Sequence, residues 1–192
     1  MGKLILVRHG ESAGNVLRVF TTDPVGLPLT EFGRAQAREA ADRIRRRFKP
    51  VKVITSHYDR ARHTGQTIAA ELSLPVFVHE QLYERDMGEL RGKPYDSMLG
   101  EAGFDPAHRW HWKPPGGESL EQVRVRAGAA IDELALAHPE DDLVIVSHGG
   151  VMVSLWAHVT GRWEDAHVPP NCGIVLVEHQ SGHFSHPVVI SD

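Results

Sequence analysis

Two short apolar runs, each closing on a histidine, constrain this chain more than any other feature. "KLILV" (residues 3–7) passes directly into Arg8-His9-Gly10-Glu11-Ser12, and "DLVIV" (142–146) passes into Ser147-His148-Gly149-Gly150. Neither run alternates apolar with polar residues, which predicts central parallel strands covered on both faces. Open α/β sheets take their ligands at the carboxyl ends of such strands. An arginine and an imidazole placed there need an anionic partner or a hydrogen-bond network if they are buried.

The intervening sequence supplies the helices that such strands require. Thr30 caps a helix running to about Phe48, with Ala37, Ala40, Ala41, Ile44 and Phe48 on one stripe. "VKVIT" is a second strand, after which Ser56 and Asp59 have the spacing of a helix start, the helix reaching about Leu72. "PVFVH" is a third strand. Ser119 and Gln122 form a capping box for a long helix ended by His138-Pro139. A shorter helix runs from about Val151 to Val159. "CGIVLVEH" and "SHPVVIS" close the chain as an antiparallel hairpin turning at Ser181-Gly182. Alternating strands and helices predict an α/β fold with a largely parallel sheet. Between 84 and 115 the periodicity fails, and that stretch is read as a cap-like insertion in a single domain spanning 1–192.

Composition narrows the partners. A net charge of -4 with 21 Lys+Arg gives no electrostatic case for nucleic acid. The first apolar run is too short for a membrane span or a signal segment, and the one cysteine, Cys172, cannot form an internal disulfide. A cytoplasmic protein with no membrane partner is expected; oligomeric state is not legible. Thirteen histidines raise the question of a metal. His108-x-x-His111 and His179, His183 and His186 have loosely ligand-like spacing, but no cysteine pair or His-Glu-x-x-His accompanies them. Isolated surface histidines explain them better.

Four pieces fall near strand ends: Arg8-His9, Arg60, Glu84 and His148. Alone, Arg60 reads as a solvated helix residue and Glu84 as a surface carboxylate. Together they suit a phosphoryl group. Guanidiniums clamp phosphate oxygens, a neutral imidazole attacks phosphorus, and a carboxylic acid protonates the departing oxygen. No P-loop, paired aspartates or Gly-x-Ser-x-Gly elbow competes.

In this light "LVRHGES" with the later "VSHGG" resembles the histidine phosphatase (phosphoglycerate mutase-like) superfamily. "LTEFGRAQA" resembles its first-helix motif, "SHYDRARHT" its Ser-x-x-x-Arg-Ala-x-x-Thr spacing, and "LYERDMGELRG" its Leu-x-Glu-x-x-x-Gly-x-x-x-Gly; "GGES" precedes the long helix in the family's order. The resemblance covers nearly the whole chain and implies a three-layer α/β/α sandwich with an antiparallel edge strand. It implies His9 as the nucleophile that becomes phosphohistidine. Arg8, Arg60 and His148 would bind the phosphoryl oxygens, and Glu84 would act as proton donor and then base. Asn15 and the Gly149 N–H would line the phosphate pocket. It implies a small phosphorylated substrate and no metal or organic cofactor. Mutase-type members carry Glu-Arg-His-Tyr-Gly where this chain has Glu84-Arg85-Asp86-Met87-Gly88, and they are typically longer, with a larger insertion and a C-terminal tail. Phosphate monoester hydrolysis is therefore expected over the mutase-type alternative. The cations Arg85, Arg91, Lys93 and Arg109, with Trp110 and Trp112, are expected to overhang the site.

Overall fold

The computed structural model describes residues 1–21 and 25–191. Strands β1 (Gly2–Arg8), β2 (Pro50–Thr55), β3 (Val76–Val78), β4 (Asp142–Ser147), β5 (Ile174–Gln180), β6 (His183–Phe184) and β7 (Val188–Ile190) form one sheet in the order β3-β2-β4-β1-β5-β6, with β7 also on β5. The strands β1 to β4 pair in parallel, and β5 runs antiparallel to β1, β6 and β7. Parallel neighbours end on the same side of the sheet. Arg8 is therefore level with Ser147, and Thr55 with Val146.

Helices α1 (Ala13–Leu17), α2 (Glu31–Arg47), α3 (Asp59–Leu72), α4 (Leu120–Ala137) and α5 (Gly149–Thr160) connect the strands. Two cores lie on opposite faces of the sheet. Leu4, Leu6 and Ile145 point to the side of α4 and α5, while Ile5, Val7 and Val144 point to the side of α2 and α3. Burial on both faces accounts for the unbroken apolar runs, each fully buried Leu, Ile or Val contributing roughly 1.5–3 kcal/mol.

The caps on α2 and α4 behave as the residues dictate: Thr30 accepts the Gly33 N–H, and Ser119 exchanges bonds with Gln122. Two helix starts differ from the sequence expectation. α3 begins at Asp59 with Tyr58 as its N-cap, because the Ser56 hydroxyl is drawn away to His148. α5 begins at Gly149, two residues early, and its second residue must be small because a Cβ at Gly150 would lie 2.6 Å from Glu84 Oε1.

From 79 to 118 the chain makes only short 3-10 turns, the longest being Tyr95–Gly100. Met87, Leu90 and Trp112 form a small core there, with Phe20, Met98 and Phe104 packed on it. Glu118 and Arg126 fasten this segment to α4. Arg126 meets both carboxylate oxygens of Glu118 at 2.9 Å and donates to the carbonyls of Gln81 and Glu84. Glu118 accepts in turn from the Asp86 N–H and the Tyr83 hydroxyl.

Candidate active site

Strand order decides what meets at the carboxyl edge. β2, β4 and β1 are neighbours, so Ser56, His148 and His9 follow three adjacent strand ends. The two imidazoles lie with centroids 5.3 Å apart. The His9 N–H extends the ladder to Ser147 O at 2.9 Å, and its carbonyl accepts from Asn171 Nδ2 at 3.0 Å.

His9 is held in one tautomer. Its Nδ1 is 2.7 Å from the Gly10 carbonyl, which only accepts, so Nδ1 carries the proton and Nε2 is bare. Arg60 Nε donates to that Nε2 at 3.2 Å. Burial and the neighbouring Arg60 and Arg8 charges hold the His9 pKa well below its ordinary value, against the opposing pull of the Gly10 carbonyl. The ring is neutral at neutral pH, as a nucleophile must be.

The loop after β1 is clamped from three sides. Thr64 of α3 accepts the Gly10 N–H at 3.0 Å while donating to Arg60 O. Gln36 accepts the Glu11 N–H, and Thr30 donates to the Glu11 carboxylate. Gly33 lets α2 approach so closely that a Cβ there would lie 2.1 Å from Glu11 O.

His148 is fully buried. Its Nε2 is 2.7 Å from Ser56 Oγ, which itself accepts the Tyr58 N–H. Burial, Arg60 and His9 hold its pKa well below the ordinary value. Its Nδ1 has no partner among the described residues, and neither has Nε of Arg8, whose NH1 donates to the Pro169 carbonyl. Arg60 NH2 donates to Thr21 O at 2.9 Å. Glu84 Oε1 accepts the Arg85 N–H at 2.7 Å and the Gly150 N–H at 3.1 Å. Asn15 Oδ1 accepts from Ser12 and from Asn171 Nδ2 at 3.2 Å.

Arg8, His9, Asn15, Arg60, Glu84 and Gly149 all line one cavity of about 280 Å³, and the buried ring of His148 lies next to that of His9. A family model for the histidine phosphatase superfamily (branch 1) matches residues 4–189. The chain belongs to that superfamily. It is 29% identical to a metal-independent phosphoserine phosphatase of Arabidopsis thaliana over 82% of this chain and 68% of that protein. It is 38% identical to a 2,3-bisphosphoglycerate-dependent phosphoglycerate mutase of a Methylobacterium strain, over 64% of this chain and 62% of the mutase. A solved mycobacterial glucosyl-3-phosphoglycerate phosphatase in complex with VO3 superposes with a TM-score of 0.84 at 26% identity, covering 97% of each chain. This superfamily thus contains both phosphatases and mutases among the chain's relatives.

The expected overhang takes another form. Arg85 spends its guanidinium on the Glu118 and Trp112 carbonyls, and Arg91 pairs with Asp86. Trp110 stacks on Trp163, and Trp112 is buried in the small core. Of the expected cations beyond the phosphate end, Arg109 reaches the cavity with its charge uncommitted to a hydrogen bond or ion pair within the described residues. Sequence reasoning missed Ser56 as a partner of His148 and missed Asn171 and Arg126 altogether. The family-like Ser-x-x-x-Arg-Ala-x-x-Thr spacing already held Ser56 and Thr64; Asn171 and Arg126 carry no local signal. Several of the scattered histidines pair with a carboxylate, His108 with Asp105, His138 with Asp141 and His158 with Asp132, whereas His179 is buried rather than on the surface and its Nε2 has no hydrogen-bond partner among the described residues. Among the described residues no three His, Cys, Asp or Glu side chains converge as a metal site would need, and no helix is long and apolar enough to cross a membrane.

Proposed function

We propose that the chain hydrolyses small phosphate monoesters through a phosphohistidine on His9. The observation that carries this reading is the unprotonated Nε2 of His9, which accepts from Arg60 Nε on a residue lining the cavity, with its Nδ1 proton tied to Gly10 O. Nε2 attacks phosphorus in line with the ester oxygen, and the Gly10 carbonyl steadies the positive charge that develops on the ring. Arg60, Arg8 Nε and His148 Nδ1 donate to the phosphoryl oxygens. The Ser56 hydroxyl gives its hydrogen to Nε2 of His148, which leaves the Nδ1 proton for the substrate. Asn15 and the Gly149 N–H, at the first position of α5 where no intrahelical acceptor exists, add donors.

Glu84 protonates the departing alkoxide. The Arg85 N–H holds Oε1 and the Gly150 N–H is shared between Oε1 and Oε2, which fixes the carboxyl group in the cavity wall. The carboxylate formed then takes a proton from water, whose oxygen attacks the phosphohistidine and releases inorganic phosphate. Hydrolysis rather than transfer to a second alcohol is favoured by Met87, which lines the cavity at the position where the mutase-type motif has a tyrosine. Similarity to the phosphoserine and glucosyl-3-phosphoglycerate phosphatases points the same way.

The test is rapid quench with labelled ester. Wild type should trap an acid-labile, alkali-stable phosphoryl group, folded His9→Ala should trap none, and a chelator should leave phosphate release unchanged. Label passing to an added phosphoglycerate instead of to water would establish the mutase-type reaction. Release by folded His9→Ala at a substantial rate would sink the mechanism.

A further inference from the structure

The cavity extends beyond the phosphoryl end, and there its chemistry changes. Phe20, Met87, Met98, Leu120, Val153 and Val168 line it. Met87 and Met98 come from the 79–118 segment, Leu120 from the first turn of α4 and Val153 from the second turn of α5. Apart from Thr21 and Arg109, the polar side chains of the lining are accounted for elsewhere. Arg8, His9, Asn15, Arg60, Glu84 and Gly149 serve the phosphoryl group, and the Arg85 guanidinium is held by two carbonyls. Arg109 stands exposed at the rim, and the Tyr95 hydroxyl faces Asn15 at 3.5 Å. A sugar or glycerol hydroxyl entering this region would exchange water for methyl, thioether and phenyl surface, and would lose its hydrogen bonds.

Resting on the phosphatase reading, we infer that the leaving-group subsite takes an apolar alcohol: the substrate class is alkyl or aryl phosphate monoesters, and polyhydroxylated esters are disfavoured. The two thioethers suit a group of irregular or planar shape, since methionine adapts to its neighbour and makes favourable contacts with ring edges. Phe20, tilted against Tyr95 at 5.0 Å, adds an aromatic wall.

Binding can be read without turnover by titrating the wild-type protein with two non-hydrolysable phosphonates of equal charge and equal heavy-atom count, hexylphosphonate and dihydroxybutylphosphonate. The hexyl compound should bind about tenfold tighter or better, as expected when several methylenes leave water for an apolar wall. Met98→Ser should shrink that preference by about threefold, while Leu99→Ser, exposed next to it, should leave it intact. Equal affinities, or a preference for the diol, would overturn the apolar subsite. Phosphate release from hexyl phosphate and glycerol phosphate is measured in parallel. A hexylphosphonate preference with release from neither ester would sink the phosphatase reading while the subsite stood. Release from both with no phosphonate preference would do the reverse.

Discussion

At the scale of single residues, the site works by removing choices. His9 has one tautomer because Gly10 O accepts only, and Arg60 aims at its bare nitrogen because α3 carries both Arg60 and Thr64, the clamp on Gly10. Arg60 is buried, whereas Arg62, two positions on, turns out toward Asp59. Arg60→Ala should lower kcat/KM by about 10²–10³, the usual effect of deleting a donor that strengthens in the transition state. Arg62→Ala removes a partly exposed ion pair worth at most about 1 kcal/mol of stability and should leave kinetics untouched. Steady-state assays of both proteins decide the point, and equal mild losses would mean that Arg60 is not the phosphate donor.

Elements set the distances that residues cannot. Glu84 belongs to a segment without regular structure, yet its backbone is fixed at one end by Arg126 of α4 and its carboxylate at the other by the Gly150 N–H of α5. The Arg126–Glu118 pair is largely buried, and the Arg126 guanidinium lies 3.5 Å from the Tyr83 ring centre. Arg126→Ala leaves the Glu118 carboxylate short of its partner and should cost about 2–3 kcal/mol of stability. Because Glu84 then loses its anchor, phosphorylation of His9 by an alkyl ester should slow more than phosphorylation by an activated aryl ester, whose phenolate leaves without a proton. Thermal denaturation and rapid-quench phosphoenzyme formation read the two effects separately. Equal slowing for both esters would remove Glu84 from the chemistry and leave Arg126 a purely structural role.

For the whole molecule, two neutral histidines buried between the sheet and its helices tie stability to pH. Both have folded pKa values well below the ordinary one, His9 through burial and Arg60, His148 through burial and Arg60. The unfolded chain therefore binds more protons than the native one below about pH 6.5, so the stabilisation is complete above that pH and is lost as pH falls. Each site adds a slope of about 1.4 kcal/mol per pH unit, so the pair should give about 2–3 kcal/mol per unit beneath pH 6.5. Denaturant titrations between pH 7 and 5 measure this slope. His148→Gln should roughly halve it even if its absolute stability drops, and an unchanged slope would show that His148 titrates normally in the native state.

Much of this was legible in the residues. The apolar runs before Arg8 and Ser147 specified buried parallel strands because no polar residue interrupted either face, and the capping residues Thr30 and Ser119 marked two helix starts because their side chains bond within three residues. His9, Arg8, Arg60, Glu84 and His148 stood out because their motifs are local. What tertiary structure alone decided is whatever depends on strand order and long-range approach. Ser56 has the spacing of a cap, but β2 lies beside β4, and the stronger claim on its hydroxyl comes from an imidazole 92 positions away. Asn171 reaches His9 across 162 positions, and Arg126 reaches Glu84 across 42, without any pattern in the chain that pairs them. Arg85 and Arg109 looked alike as cations. Only the fold commits the first to buried carbonyls and leaves the second at the cavity rim, because a hydrogen-bond acceptor counts only where packing brings it within reach.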